Sequence, residues 1–184
     1  MASAITRSIL GALVALGASL AGGATLQAGP LPFDLAEAKP YVAISFASRH
    51  IGGREDYVED NPGAGLGLQL SPEGADTAFA IELGRYRNSR GKSSDYAVFL
   101  ADRSIANISD IVDLRLGLMA GFARYPGAGD GFDRRGVPAI GDWALAAGVT
   151  GALRVWDRAE LRIGAVPALD VADAVVTFQF RIVP

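Results

Sequence analysis

The sequence predicts an all-β chain, an eight-stranded antiparallel up-and-down transmembrane β-barrel that follows a cleaved signal peptide. Three observations predict it. From Tyr41 onward, large apolar residues recur at every second position in eight runs, which is the period of a strand. The positions between them are mostly Gly and Ala with a few charges, where a water-facing sheet would carry many more Lys, Glu and Thr. The chain opens on an Arg, an apolar run and a small-residue stretch, the order of a secretory signal.

Composition narrows the function classes. With 184 residues, 50% of them hydrophobic, the chain can form one domain with a full core. A net charge of -3 and the absence of any basic run exclude the field that nucleic-acid binding uses. There is no cysteine and only one histidine, His50, so neither a disulfide framework nor a transition-metal site is expected.

The elements follow in order. Arg7 precedes the apolar run from Ile9 to Leu20, too short for a membrane-spanning helix, which needs about 20 apolar residues. Small residues at Ala21-Gly22-Gly23-Ala24 make 1–24 the expected signal peptide and 25–40 a short periplasmic segment, with one or two helical turns possible in Leu31 to Ala38. The barrel is expected over 41–184. Val42, Ile44 and Phe46 mark the first strand, Leu66, Leu68 and Leu70 the second, and Phe79, Ile81 and Leu83 the third. Tyr96, Val98 and Leu100 mark the fourth, and Val112, Leu114, Leu116, Leu118 and Phe122 the fifth. Trp143, Leu145 and Val149 give the sixth, Leu161 and Ile163 the seventh, and Val176, Phe178, Phe180 and Ile182 the eighth. Asn61-Pro62-Gly63, Ser71-Pro72-Glu73-Gly74, Arg90-Gly91, Pro126-Gly127 and Pro167 read as turns. Trp143 and Tyr96 suit aromatic girdles.

Export without disulfides fits the outer membrane of a Gram-negative cell. With both barrel ends periplasmic, the first and third strands run outward, so His50 and Arg87-Asn88-Ser89 fall on the extracellular rim. Gln69, Asp113, Arg115, Arg162 and Arg181 then lie in the periplasmic half of the lumen, with Glu82 on the same inner face. Ala47, Gly84, Gly117, Gly121, Ala144 and Ala146 leave the outer half roomy and apolar enough for an acyl chain. His50 shares the parity of Val42, Ile44 and Phe46, so it faces the lumen only if a bulge intervenes. Glu55, Asp56, Glu59 and Asp60 form an acidic loop, more simply solvated than cation-binding.

Ile44-Ser45-Phe46, His50, Tyr57-Val58-Glu59 before Asn61-Pro62-Gly63, and the Gly65-Leu66-Gly67-Leu68 start of the next strand resemble the first hairpin of the outer-membrane lipid A palmitoyltransferase (PagP-like) family. Arg87-Asn88-Ser89 with the downstream Ser-x-Tyr resembles that family's Asp-Ser pair and following strand, and Ala165-Val166-Pro167 its Pro-containing turn. The resemblance implies a barrel that moves a palmitoyl chain from a phospholipid to lipid A, acting as a monomer without a cofactor. It also implies catalytic roles for His50, Asn88 and Ser89. Asn88 stands where the family has an acid, and the loop after His50 is shorter. A Ser hydroxyl needs a base, and His is the side chain best poised to serve. An Asn can orient the imidazole but brings no charge to stabilise it. Taken without the resemblance, a lone rim His is an interfacial hydrogen-bonder and Asn-Ser an ordinary turn pair. Two other readings are therefore carried: a non-enzymatic structural or adhesion barrel, and a lipid A deacylase.

Overall fold

The computed structural model describes residues 38–52, 57–70, 76–128, 138–167 and 174–183. The expected signal peptide, nearly all of the segment 25–40 and the Glu55-Asp56 part of the acidic loop lie outside these residues. In chain order the strands are β1 (Lys39–Ile51), β2 (Asp60–Gln69), β3 (Thr77–Arg87), β4 (Ser93–Ser109), β5 (Val112–Arg124), β6 (Ala139–Ile140), β7 (Trp143–Val155), β8 (Ala159–Pro167) and β9 (Ala174–Ile182). β6 is a two-residue strand folded back on the start of β7; the other eight form the wall. β5 pairs with β7, every other neighbour in the wall is sequential and antiparallel, and β1 pairs with β9, so the sheet closes without an edge.

The two faces of this wall are inverted relative to a soluble barrel. Outside, Leu66 is 70% exposed, Leu83 59% and Leu116 54%; inside, Glu82 and Thr150 are each 1% exposed. Leaving such apolar side chains in water forfeits about 25 cal/mol for each Å². Hydrocarbon outside removes that penalty, and the closed ladder satisfies every strand's backbone within the sheet, so the chain is a membrane β-barrel.

Three sequence expectations change here. Tyr96, Val98 and Leu100 of β4 face inward, not toward lipid: Leu100 pairs with inward Ala80, while Phe99 pairs with outward Ile81. The run Val98-Phe99-Leu100 is apolar on both faces, so alternation alone carries no sign. Its inward members join Tyr41, Ala43, Ala80 and Met119 in an apolar layer. Next, Asn61-Pro62-Gly63 is not a turn but lies inside β2. The register skips there: Ser45 pairs with Gly63, but Ala47 pairs with Asp60. Proline lacks the N–H a ladder needs, and a bulge is where a strand accommodates it. Finally, β1 is itself offset against β9, because Ser45 pairs with Gln179 and Ala47 with Phe178, one residue in β1 being extra.

The ends of the barrel differ. At one, where the described chain both enters and leaves, β4 joins β5 through two residues and β7 joins β8 through three. Trp156 and Asp157 in the second of these turns have positive φ (50° and 55°), the backbone of a tight primed hairpin. At that same end β2 joins β3 through 70–76, while the other end carries 52–59 after β1, 88–92 after β3, 125–138 after β5 and 168–173 after β8.

Candidate functional site

The inner face of the half nearest the short turns is filled by charge. Arg115 contacts Asp102 (2.5 Å) and Asp113 (2.6 Å), and Arg162 contacts Asp102 (2.6 Å) and Glu160 (2.7 Å). Glu160 also meets Arg154 (2.8 Å) and Arg181 (3.4 Å), and Arg181 continues to Glu82 (2.7 Å). Four arginines and four carboxylates thus form one chain of ion pairs with no net charge, the condition for keeping them buried. Tyr41 (2.8 Å) and Gln179 (2.6 Å) donate to Glu82, Arg162 donates to Thr150 (2.9 Å), and the Arg181 guanidinium lies 4.9 Å from the Tyr41 ring centre.

Asp113, Arg115, Arg162, Arg181 and Glu82 are where parity placed them. Sequence reasoning missed Asp102, Arg154 and Glu160. Asp102 was hidden by the unsigned phase of β4. Glu160 was legible, since it lies two residues before Arg162 and so shares its inward face.

The outer half of the lumen is not the open apolar space expected. Gly84 is the seat of a ring from the neighbouring strand, and Gly117 and Gly121 lie close against the backbone of β4. A Cβ on Gly84 would lie 2.5 Å from the Tyr96 ring, and one on Gly67 would overlap Tyr41. Tyr96 donates to Glu82 (2.8 Å) and so belongs to the lumen, not to a girdle. Above it, Tyr86 meets Tyr96 edge-on at 5.9 Å between ring centres and donates to the Tyr125 hydroxyl (3.2 Å). Tyrosines thus continue the polar filling toward the long loops.

The predicted catalytic residues share that loop-bearing rim. The bulge at Phe46 moves His50 onto the face of buried Ser48, satisfying the one condition under which His50 faces inward. Ser48 donates to Asn61 (2.6 Å), whose amide donates to Val58 (3.2 Å) and Arg87 (2.8 Å) carbonyls, sewing β1, β2 and β3 together. The His50 ring stacks on Tyr57 at 4.0 Å, and its Nδ1 is buried with no hydrogen-bond partner. Val58 N donates to the Ser89 carbonyl (3.0 Å), so the two hairpin mouths do meet, through backbone. Asn88 is 2% exposed and fully engaged: Nδ2 donates to Ser94 Oγ (2.9 Å), and Oδ1 accepts from the Arg90 and Lys92 amides (3.0 Å each). Among the described residues no hydrogen bond joins the His50, Asn88 and Ser89 side chains to one another, and no acidic or histidine cluster is arranged to hold a metal.

No family model matches the chain, and no curated protein matches it in sequence. Solved structures similar to it include the Yersinia pestis outer membrane protein Ail in a phospholipid nanodisc, with a TM-score of 0.42, 13% identity, and coverage of 79% of this chain and 99% of that one. They also include the Escherichia coli outer membrane protein W in solution, with a TM-score of 0.37, 11% identity, and coverage of 82% and 100%.

Proposed function

We propose that this protein is a small barrel of the Gram-negative outer membrane with a structural or adhesion role, working through its long loops and outer wall. One observation carries the reading: the lumen is occupied from the Arg115–Asp113 pair to the Tyr86–Tyr125 contact. A pore needs a continuous water path, and an acyl site needs apolar room. Neither is compatible with that filling. The end with the short turns faces the periplasm, as in barrels of this class, and the loops at 52–59, 88–92 and 125–138 face outward.

The test combines topology and conductance. Protease added to intact expressing cells should nick 52–59 or 125–137 and spare the strands. Nicking only after permeabilisation would reverse the orientation. Purified protein in planar bilayers should give no stepwise conductance; reproducible steps would sink the filled-lumen argument.

A second reading is acyl transfer from a phospholipid to lipid A at His50, Asn88 and Ser89. The bulge favours it, because it brings His50 to the inner face with Nδ1 uncommitted. Mass spectrometry of lipid A from expressing cells separates the readings. Added palmitate supports transfer, a lost acyl chain supports a deacylase, and an unchanged profile supports the barrel without chemistry.

A further inference from the structure

On the outer wall below the long loops, Leu83, Ala97, Phe122 and Leu145 are aligned across β3, β4, β5 and β7 as one apolar rung. Two residues further along each strand, on the same face, stands a different rung: Arg85, Asp95, Arg124 and Trp143. Arg85 Nε contacts Asp95 at 2.6 Å and Arg124 contacts it at 3.4 Å, so one carboxylate spaces two guanidiniums. Arg85 engages through Nε alone, and the side chains of Arg85 and Arg124 are 70% and 43% exposed. Arg87, Arg90 and Lys92 are exposed beyond this rung, at the end of β3 and in its hairpin. The abrupt change from apolar to cationic side chains marks the level at which hydrocarbon gives way to headgroups, and Trp143 in the same rung suits that level.

Among the described residues, the outward cations at this end are not spread round the wall. On β1 and β9, the described outward residues at this end include a single cation, Arg49, already paired with Glu59 at 2.5 Å. A girdle that merely tolerated headgroups would have no reason to favour one flank.

We propose that the Arg85–Asp95–Arg124 rung is a binding site for a phosphorylated glycolipid of the outer leaflet, holding its phosphate between the two guanidiniums while its acyl chains lie on the apolar rung beneath. Guanidinium groups form paired, charge-assisted hydrogen bonds with phosphate oxygens, and Asp95 holds the two donors at a fixed separation. The proposal rests on the loop-bearing end facing outward. The proteolysis above reads that orientation and the following experiment reads the rung, so the two failures are distinguishable.

The full-length protein, folded in phosphatidylcholine nanodiscs, is titrated with diphosphoryl lipid A, with lipid A stripped of both phosphates, with phosphatidylglycerol and with inorganic phosphate, and binding is read by native mass spectrometry. Diphosphoryl lipid A should bind, and Arg85→Gln/Arg124→Gln should weaken it by about tenfold or more, as expected for losing two charge-assisted contacts. Arg49→Gln should leave it unchanged. The wild-type comparison of phosphorylated and dephosphorylated lipid tests the same idea without any variant. Equal binding of those two lipids, equal binding of phosphatidylglycerol, full competition by inorganic phosphate, or an equal loss in Arg49→Gln would each overturn the proposal.

Discussion

In the lower lumen Glu160 draws together Arg154, Arg162 and Arg181, which stand on three different strands, whereas at the rim Asn88 commits its whole amide to its own hairpin. Both clusters are polar and buried, yet they are satisfied over opposite ranges. The lumen groups have no partners near in sequence that could serve all of them, so they exist as a set only in the closed barrel. Asn88 would find its partners in an isolated β3–β4 hairpin. Long-range satisfaction ties the charges to the fold, and local satisfaction ties Asn88 to a turn. A catalytic triad resembles the first kind, because its members must reach one another across elements. Asn88 does not show that pattern.

The comparison breaks most visibly if Glu160 is removed. Glu160→Leu leaves three buried guanidiniums short of a carboxylate, and breaking even one buried pair costs about 3–5 kcal/mol. The expected outcome is loss of the heat-modifiable folded band on gels. Arg115→Leu leaves Asp102 with Arg162 but strips Asp113 of its partner in the network. It should therefore cost less than Glu160→Leu, within the same range of about 3–5 kcal/mol, read as a lower urea midpoint in detergent. A midpoint unchanged by both substitutions would show that these charges are not buried together.

A smaller effect is expected of Gly84→Ala, which drives a methyl group against the Tyr96 ring. Overpacking of this kind costs about 1–3 kcal/mol. If the outer lumen were open, Ala would be neutral at this position, so the substitution tests the filled outer half directly. It also locates the limit of sequence reasoning. The number of wall strands and the lipid-facing phase of seven of them were legible, because a period of two with Gly or Ala between apolar residues has few other solutions. The arginine-rich inner face was legible for the same reason. What was not legible depends on pairing across strands. Gly84 read as a vacancy, because nothing in its own strand announces the tyrosine that fills it. Pro62 read as a turn because a bulge can be recognised only from the register of both partners. The extra residue Phe46 in β1, visible only against β9, decides which way His50 faces, so the most consequential feature of the candidate site lay in an interstrand offset. Asn88 was found at the right place, but its partners were not: its bonds to Ser94, Arg90 and Lys92 are those of a turn cap, which is what the residue type suggests without any family resemblance.

Asn88→Ala sharpens the comparison from the other side. It removes three hydrogen bonds within one hairpin and leaves the Ser94 hydroxyl buried without its donor, at a cost of about 1–3 kcal/mol. Because the loss is local, it should appear first as faster amide exchange or proteolysis in 88–94, with the ion network still intact. A global loss of folding equal to that of Glu160→Leu would contradict the division into local and long-range satisfaction.

The smallest effects are expected of His50→Ala and Ser89→Ala, and they decide between the two functional readings. Among the described residues the partly buried Ser89 side chain makes no hydrogen bond, so its removal should change stability by no more than about 0.5 kcal/mol. His50→Ala gives up the stack on Tyr57, worth roughly 0.5–1.5 kcal/mol, and leaves the rim otherwise joined through Ser48 and Asn61. Under the structural or adhesion reading, lipid A carries the same acyl chains in cells expressing wild type, either variant, or Asn88→Asp. Under acyl transfer, wild type adds palmitate, each variant abolishes the addition, and the double variant is no worse than either single one, because groups acting as a unit fail together. Asn88→Asp would then raise the yield by adding the charge that an Asn lacks. A wild type that adds palmitate while His50→Ala keeps full transfer would separate the activity from this site altogether. His50 would then be left as an aromatic neighbour of Tyr57, held on the inner face by the bulge in β1.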